Sequence, residues 1–215
     1  MNIVVLAGGL SPERNVSLSS GSLIAAALKR RGHRVLLLDV YLGINEIPSD
    51  PYSLFTTEPS DEFKVSGEIP DLDKLKHNSQ NGEKLIGHNV LTLCALADAV
   101  FLALHGAMGE NGQLQATLDN FGIKRYSGSG YIGSLLAMDK NISKKLLVAA
   151  NINTPKWIYC NSDVTASHIE STIGIPCVIK PCSCGSSVGI SIVNTHKELD
   201  AALEFAAKYE DKLVI

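Results

Sequence analysis

No dense run of lysine or arginine occurs in the sequence, and 19 basic against 22 acidic residues leave a formal net charge of −3. The electrostatic footprint of a nucleic-acid-binding protein is therefore missing. Charge is sparse overall, at 19% of residues against 45% hydrophobic, which excludes a self-solvating disordered chain. The most apolar stretch, VLTLCALADAVFLALHG, is interrupted by Asp98 and reads as a buried helix followed by a buried strand, not as a membrane span. The start of the chain carries no basic segment and no small-residue cleavage site, so a soluble, cytoplasmic protein is expected.

The cysteines exclude more than they offer. There are five, Cys94, Cys160, Cys177, Cys182 and Cys184, an odd number with no oxidising compartment to pair them. Zinc sites space paired cysteines by two to four residues and need a second pair or histidines, which C-S-C does not supply; a metal site there is rated at about one chance in twenty. Small buried thiols are the better reading. At 215 residues the chain suffices for one large or two small domains. About 70% of the unfolded surface of such a chain can be buried without staples.

The runs IVVLA (3–7) and RVLLLDV (34–40) have the near-continuous apolar character of parallel strands buried on both faces. Between them, Leu18, Gly21, Ala25 and Leu28 share one helical face, and Gly32 follows basic residues as a C-terminal cap. This is a βαβ unit. Residues 42–89 are polar and aperiodic, with one short helix expected near 71–76. AVFLALHG (99–106) is a further buried strand, followed by the loop GAMGENG, the helix QLQATLDNF and a short strand into YSGSG. The first part is thus an open, mostly parallel α/β sheet. Ligands of such sheets sit beyond the carboxyl ends of the strands, where Gly8–Gly9 and His105–Gly106 both fall, so the two loops are expected to face one crevice. A helix from Tyr131 to about Ala150, a strand WIYC (157–160), paired strands PCVIKP and VGISIV, the helix HKELDAALEFAAKYE and the strand KLVI indicate a second, α+β unit. The boundary is set near Gly128, giving domains 1–127 and 128–215.

Three places could carry chemistry. The loop AGGLSPERNVSLSSG (7–21) follows a strand and opens a helix, yet it is neither G-x-G-x-x-G nor a lysine-closed P-loop. It carries a carboxylate, Glu13, instead. Glu13 interacts favourably with the helix dipole, by roughly 0.3–1 kcal/mol, or it binds a cation such as a substrate ammonium; from this stretch alone the dipole is favoured by about two to one. His105 ends a strand and precedes G-A-M-G-E-N-G; it is hydrogen-bonded within its loop, or it lines the crevice of Glu13 together with Glu110. Lys180 ends the strand PCVIK and either snorkels to solvent or binds an anion, at even odds in isolation. The following CSCGSSVG (182–189) shifts those odds, because its small residues let backbone N–H groups approach a ligand and Ser186 and Ser187 add hydroxyls. With Lys140 on the preceding helix, this fits a flap over nucleotide phosphates. The other histidines, His33, His77, His88, His168 and His196, read as surface residues.

Taken together, GGLSPERNVSLSSG, LHGAMGENGQLQ, YSGSGYIGSLLAMDK and IKPCSCGSSVGISIV resemble the D-alanine–D-alanine ligases of the ATP-grasp superfamily. The resemblance implies a pre-ATP-grasp domain followed by the first ATP-grasp subdomain. It also implies a reaction in which ATP phosphorylates the carboxylate of one D-alanine and the amine of a second attacks the acyl phosphate, for peptidoglycan precursors. ATP with magnesium, or manganese in its place, is the implied cofactor set. Glu13 would bind the first ammonium, with Val16 and Ser17 in the same subsite. His105 would lie near the reacting groups, with Glu110 supporting it. Lys140 and Lys180 would hold phosphates; Ser186 would bond toward Glu13, and Ser187, Val188 and Gly189 would complete the flap. Relatives that use D-lactate or D-serine as second substrate, and a non-catalytic binding remnant, are the alternatives. The resemblance further implies a homodimer through the N-terminal domain; the helix face around residues 90–97 would serve it or belong to the core, the core being favoured by about two to one.

Departures from the family pattern are Met108 for a frequent glycine, Asn111 for a common aspartate, and Cys182 and Cys184 in the flap, where an exposed thiol would be open to alkylation that closes the flap to ATP. The match stops at KLVI, before the family's magnesium ligands, adenine hinge and second-substrate loop. These 215 residues alone are therefore expected neither to ligate nor to hold magnesium-ATP tightly, and to fold only in part.

Overall fold

The computed structural model describes residues 1–59, 63–65, 70–79 and 81–215. It divides into two compact units, Met1–Ile132 and Gly133–Ile215.

In the first unit, β1 (Asn2–Ala7), α1 (Arg14–Arg30) and β2 (Arg34–Asp39) form the βαβ unit that the apolar runs dictate. With β3 (Ala99–Leu102) they make a three-stranded sheet of order β2-β1-β3 with both pairings parallel. Ile3 to Ala7 of the central strand are buried throughout, as continuous apolar runs in parallel sheets require. Helix α1 turns Ser17, Gly21 and Ala25 inward, and Gly21 is needed there because a Cβ would come within 2.6 Å of the Ala7 methyl. The helix ends in a Schellman pair: Gly32, at φ +81°, donates to the Lys29 carbonyl and His33 to that of Leu28.

The polar stretch after β2 contains a short 3-10 turn at Pro51–Leu54 and α2 (Leu72–Asn78), capped by the Asp71 carboxylate at Lys74 N. Helix α3 (Val90–Leu96) buries Val90, Leu93 and Cys94 in the core on one side of the sheet, so that apolar face packs inward. The short helix α4 (Ala107–Glu110) and α5 (Gln113–Asn120) come after β3.

Two elements are shorter than their apolar runs. AVFLALHG pairs with β1 as far as Leu102, with Ala103 N still donating to Leu6 O, and beyond that point side chains of the first loop and α1 take two of its carbonyls: Ser17 donates to Ala103 O and Ser11 to His105 O, each at 2.8 Å. The segment into YSGSG forms a single parallel bridge, Val100 to Tyr126, instead of a strand.

The expected helix from Tyr131 to Ala150 is two, α6 (Tyr131–Met138) and α7 (Lys140–Ala149). Asp139 between them is extended (φ −80°, ψ 107°) and caps α7 by accepting from Ile142 N at 2.8 Å; a short carboxylate competes better as a cap than as a helix interior. In the second unit, β4 (Tyr159–Asn161), β5 (Cys177–Pro181), β6 (Ser191–Val193) and β7 (Lys212–Val214) form an antiparallel sheet of order β4-β7-β5-β6. Helices α8 (Ala166–Thr172) and α9 (Leu199–Ala207) supply Ile169, Leu199, Leu203 and Ala206 to its core. No helix among the described residues is long and apolar enough to cross a membrane.

Candidate functional site

The first unit builds its site where β1 and β3 end. Gly8 and Gly9 both have positive φ, +75° and +82°, and a side chain on Gly8 would overlap the Asp39 carboxylate. Ser17 lies under the loop, fully buried: its hydroxyl accepts from Gly8 N and donates to Ala103 O, both at 2.8 Å, and so ties the two strand ends together. Ser17 is thereby placed beneath the crevice, while Val16 beside it is 45% exposed. Ser11 adds a second tie, donating to His105 O at 2.8 Å and accepting from Glu13 N at 3.1 Å.

Glu13 occupies the N-cap of α1 but makes no capping hydrogen bond with its side chain. Its carboxylate lies over Gly106 instead, where a Cβ would stand 2.6 Å from Oε2. The two loops do converge, and at Gly106, with φ +67°, only glycine leaves room for the carboxylate. His105 Nε2 is 3.1 Å from Ser20 Oγ, and Nδ1 is 3.9 Å from Glu110 Oε1, with both side chains part-exposed. The departures in this motif are structural: Met108 is buried in the core, and Asn111 Oδ1 accepts from Gln113 N at 3.0 Å at the entry to α5, a bond that aspartate would make equally well. Gln115, also buried, steadies the same turn through Gly109 O.

A buried ion pair backs this loop, and sequence reasoning missed it. Arg14 Nη2 meets Asp39 Oδ2 at 2.5 Å, Nη1 donates to Gly9 O at 3.0 Å, and the two side chains are only 10% and 14% exposed. Asp39 Oδ1 in turn accepts from Tyr41 N and Leu42 N. The one available signal was a carboxylate ending the apolar run RVLLLD beside an arginine in a glycine loop.

In the second unit, Lys140 is the first residue of α7, and its ammonium donates to the carbonyls of Cys182 (3.1 Å) and Cys184 (2.6 Å). Burial pulls its pKa below the ordinary lysine range, a shift opposed by Cys182 and Cys184 and assisted by nearby Lys180. Lys180, on β5, lines a cleft of about 270 Å3 together with Lys144, Lys156, Trp157, Val178 and Val214. Lys144 was not singled out in the sequence. Its Nζ donates to Thr154 Oγ1 and Pro155 O, both at 2.8 Å, and stands 5.1 Å from the Trp157 ring centre. Burial lowers its pKa as well, with Lys180 second. The loop between β5 and β6 holds Ser186 and Ser187 in the left-handed region, φ +48° and +60°, while Val188 N bonds back to Gly185 O. Gly189, φ +70°, has no room for a Cβ, which would meet Pro181 at 2.7 Å and Tyr209 at 2.8 Å.

The exposed-thiol expectation fails for Cys182, which is buried with its Sγ 3.3 Å from Asp139 Oδ1. Cys184 is half-buried, and burial raises the pKa of both thiols.

A parallel unit with a carboxylate loop at its carboxyl edge, followed by an antiparallel unit with a lysine-flanked small-residue hairpin, is the layout of an ATP-grasp protein. Residues 2–129 match the family profile of the D-ala D-ala ligase N-terminus and residues 146–215 that of the D-ala D-ala ligase C-terminus. The chain belongs to the D-alanine–D-alanine ligase family. It is 40% identical over 220 residues to the D-alanine–D-alanine ligase of Pediococcus pentosaceus, covering 100% of this chain and 62% of that protein. The Lacticaseibacillus casei ligase is 37% identical over 219 residues, covering 100% and 60%. Among solved structures, the Bacillus anthracis D-alanine–D-alanine ligase aligns with TM-score 0.67 and 31% identity over 100% of this chain and 56% of its own. A Bacillus anthracis D-alanine–D-alanine ligase complexed with ATP aligns with TM-score 0.65 and 28% identity, over 100% of this chain and 58% of its own. The chain thus spans about three-fifths of the length of these relatives.

Proposed function

We propose that the chain serves an ATP-dependent ligase that joins two D-alanines through an acyl phosphate for peptidoglycan precursor synthesis in the cytoplasm. In this reading the first unit is the amino-acid-binding domain, and the second supplies one side of the nucleotide site. The observation that carries it is the convergence of Glu13 with His105–Gly106: a carboxylate that makes no capping bond to its own helix and lies against the neighbouring strand end suits an ammonium ligand. A buried ion pair and two serine ties hold the loop before any ligand arrives, so little ordering entropy remains to be lost on binding.

Each residue then has a task. Glu13 binds the ammonium of the first D-alanine, with Val16 beside it, and Ser17 fixes the loop from below. His105, oriented by Ser20 and Glu110, faces the reacting carboxylate. Lys140 and Lys180 place positive charge for the phosphates, and Ser186, Ser187, Val188 and Gly189 form the cover. Phosphoryl transfer asks the protein mainly for positioning and charge. Among the described residues no three His, Cys, Asp or Glu side chains converge as a metal site. The curated relatives named above are D-alanine–D-alanine ligases, which favours D-alanine over D-lactate or D-serine as second substrate.

Calorimetric titration of the chain tests this. D-alanine is expected to bind with millimolar or better affinity, L-alanine at least tenfold more weakly, and Glu13→Gln is expected to abolish the D-alanine signal. Equal binding of both enantiomers, or an unaffected Glu13→Gln variant, would overturn the assignment.

A further inference from the structure

We propose that the Tyr209–Glu210 turn, between α9 and β7, is a positioning element for the nucleotide loop, gripping both of its arms at once. This rests on the nucleotide reading of the 182–190 loop and adds two residues to it.

Three ties fix the beginning of that loop. Cys182 N donates to Lys212 O at 2.9 Å. The carbonyls of Cys182 and Cys184 both turn to the Lys140 ammonium. Between them, Ser183 turns the other way: its amide donates to Glu210 Oε2 and its hydroxyl to Oε1, each at 2.7 Å. A cation on one side and a carboxylate on the other thus clamp three consecutive residues with charge-assisted hydrogen bonds, the stronger kind. At the far end, the Tyr209 ring stands where Gly189 has no side chain, 2.8 Å from the position a Cβ would take. Neighbouring residues of one turn therefore hold the loop at residue 183 and at residue 189.

The span between those grips needs holding. Ser186 and Ser187 are consecutive non-glycine residues at positive φ, a conformation that persists only where the surroundings impose it. Glu210 is itself anchored, its amide donating to Ala206 O at 3.3 Å, so the carboxylate extends from the end of α9 and not from a free loop. Tyr209 is braced by an edge-on contact with Phe205 on that helix, ring centres 5.5 Å apart. Helix α9, whose inner face is core, is thereby the rigid base from which the loop's N–H groups are aimed.

The test is amide hydrogen exchange on the nucleotide-free chain, with ATP and D-alanine affinities measured in parallel for Glu210→Ala, Glu210→Gln, Ser183→Ala and Ser183→Thr. In Glu210→Ala, amides of residues 183–189 are expected to exchange about tenfold faster. The β5–β6 ladder should keep its rates, ATP should bind about tenfold more weakly and D-alanine affinity should not move. Glu210→Gln, which keeps one acceptor oxygen but loses the charge and the second acceptor, should fall between, and Ser183→Thr should restore what Ser183→Ala loses. Unchanged loop exchange in Glu210→Ala, acceleration spread over the whole second unit, or failure of Ser183→Thr to rescue would overturn the proposal. The exchange readout needs no nucleotide, so it decides the clamp even where the chain holds ATP weakly; faster loop exchange in Glu210→Ala with an unmoved ATP affinity would count against the nucleotide reading and leave the clamp standing.

Discussion

Replacing Asp39 by alanine removes the partner of a guanidinium that lies beneath the first loop. Asp39 and Arg14 are only 14% and 10% exposed at their side chains, so the arginine left behind would remain largely out of water. Breaking a fully buried pair this way costs about 3–5 kcal/mol; the small residual exposure lets water reach the orphaned cation and lowers the expectation to about 2–4 kcal/mol. Asp39 also accepts from Leu42 N, at the exposed side of the turn where water can replace it, and from Tyr41 N, whose residue is fully buried, so the loss of that acceptor adds to the cost. For a unit of this size, each kcal/mol moves Tm by roughly 3–5 °C, so the first unit should melt about 10 °C lower. Thermal denaturation followed by circular dichroism, combined with a double-mutant cycle, checks the reasoning. Arg14→Met alone should cost less, because Asp39 keeps its two amide donors, and adding it to Asp39→Ala should recover part of the loss. Strict additivity of the two single changes would show that the pair does not hold the loop, and would refute the argument.

The geometry sets three further outcomes. Gly106→Ala places a methyl against the Glu13 carboxylate at a positive-φ position, and should weaken D-alanine binding by at least tenfold, measured by calorimetry, while ATP affinity stays unchanged. Ser17→Ala strands the buried Gly8 amide and Ala103 carbonyl and should lower the unfolding free energy by about 2–4 kcal/mol in urea titration; lost D-alanine binding with unchanged stability would make Ser17 a ligand group instead. Cys94, its pKa pushed from 9.0 to about 12 by burial, keeps its proton in the fold while the unfolded chain loses it. The contribution of Cys94 to stability is thus constant below pH 9 and falls between pH 9 and about 12, by up to about 1.4 kcal/mol per pH unit, and Cys94→Ala should flatten that part of the slope in urea titrations.

The features legible in the sequence were local or periodic. IVVLA, RVLLLDV and the helix between them declare a βαβ unit because strands buried on both faces must be apolar throughout. The hairpin around CSCGSSVG is legible for a similar reason, since small residues mark where backbone must come close. Breaks depended on competition that periodicity does not record. Asp139 interrupts an otherwise helical stretch by capping α7, and at the end of β3 serines some 90 residues earlier in the chain take the carbonyls of Ala103 and His105. The clamps were hidden for the same reason: Arg14 with Asp39 and Ser183 with Glu210 are 25 and 27 residues apart, and only the folded strand ends and the α9–β7 turn bring them together. Glu13 is the instructive case. Its position at a helix start favoured a dipole role, and its orientation toward Gly106, which no sequence rule supplies, carries the other reading.

The most direct test of the account is a D-alanine titration of the isotope-labelled chain followed through its backbone amide resonances. The account predicts that shifts concentrate at Gly8, Gly9, Glu13 and Gly106, saturate, and disappear in Glu13→Gln. Shifts confined to the second unit, or a wild-type spectrum that D-alanine leaves unchanged, would contradict it.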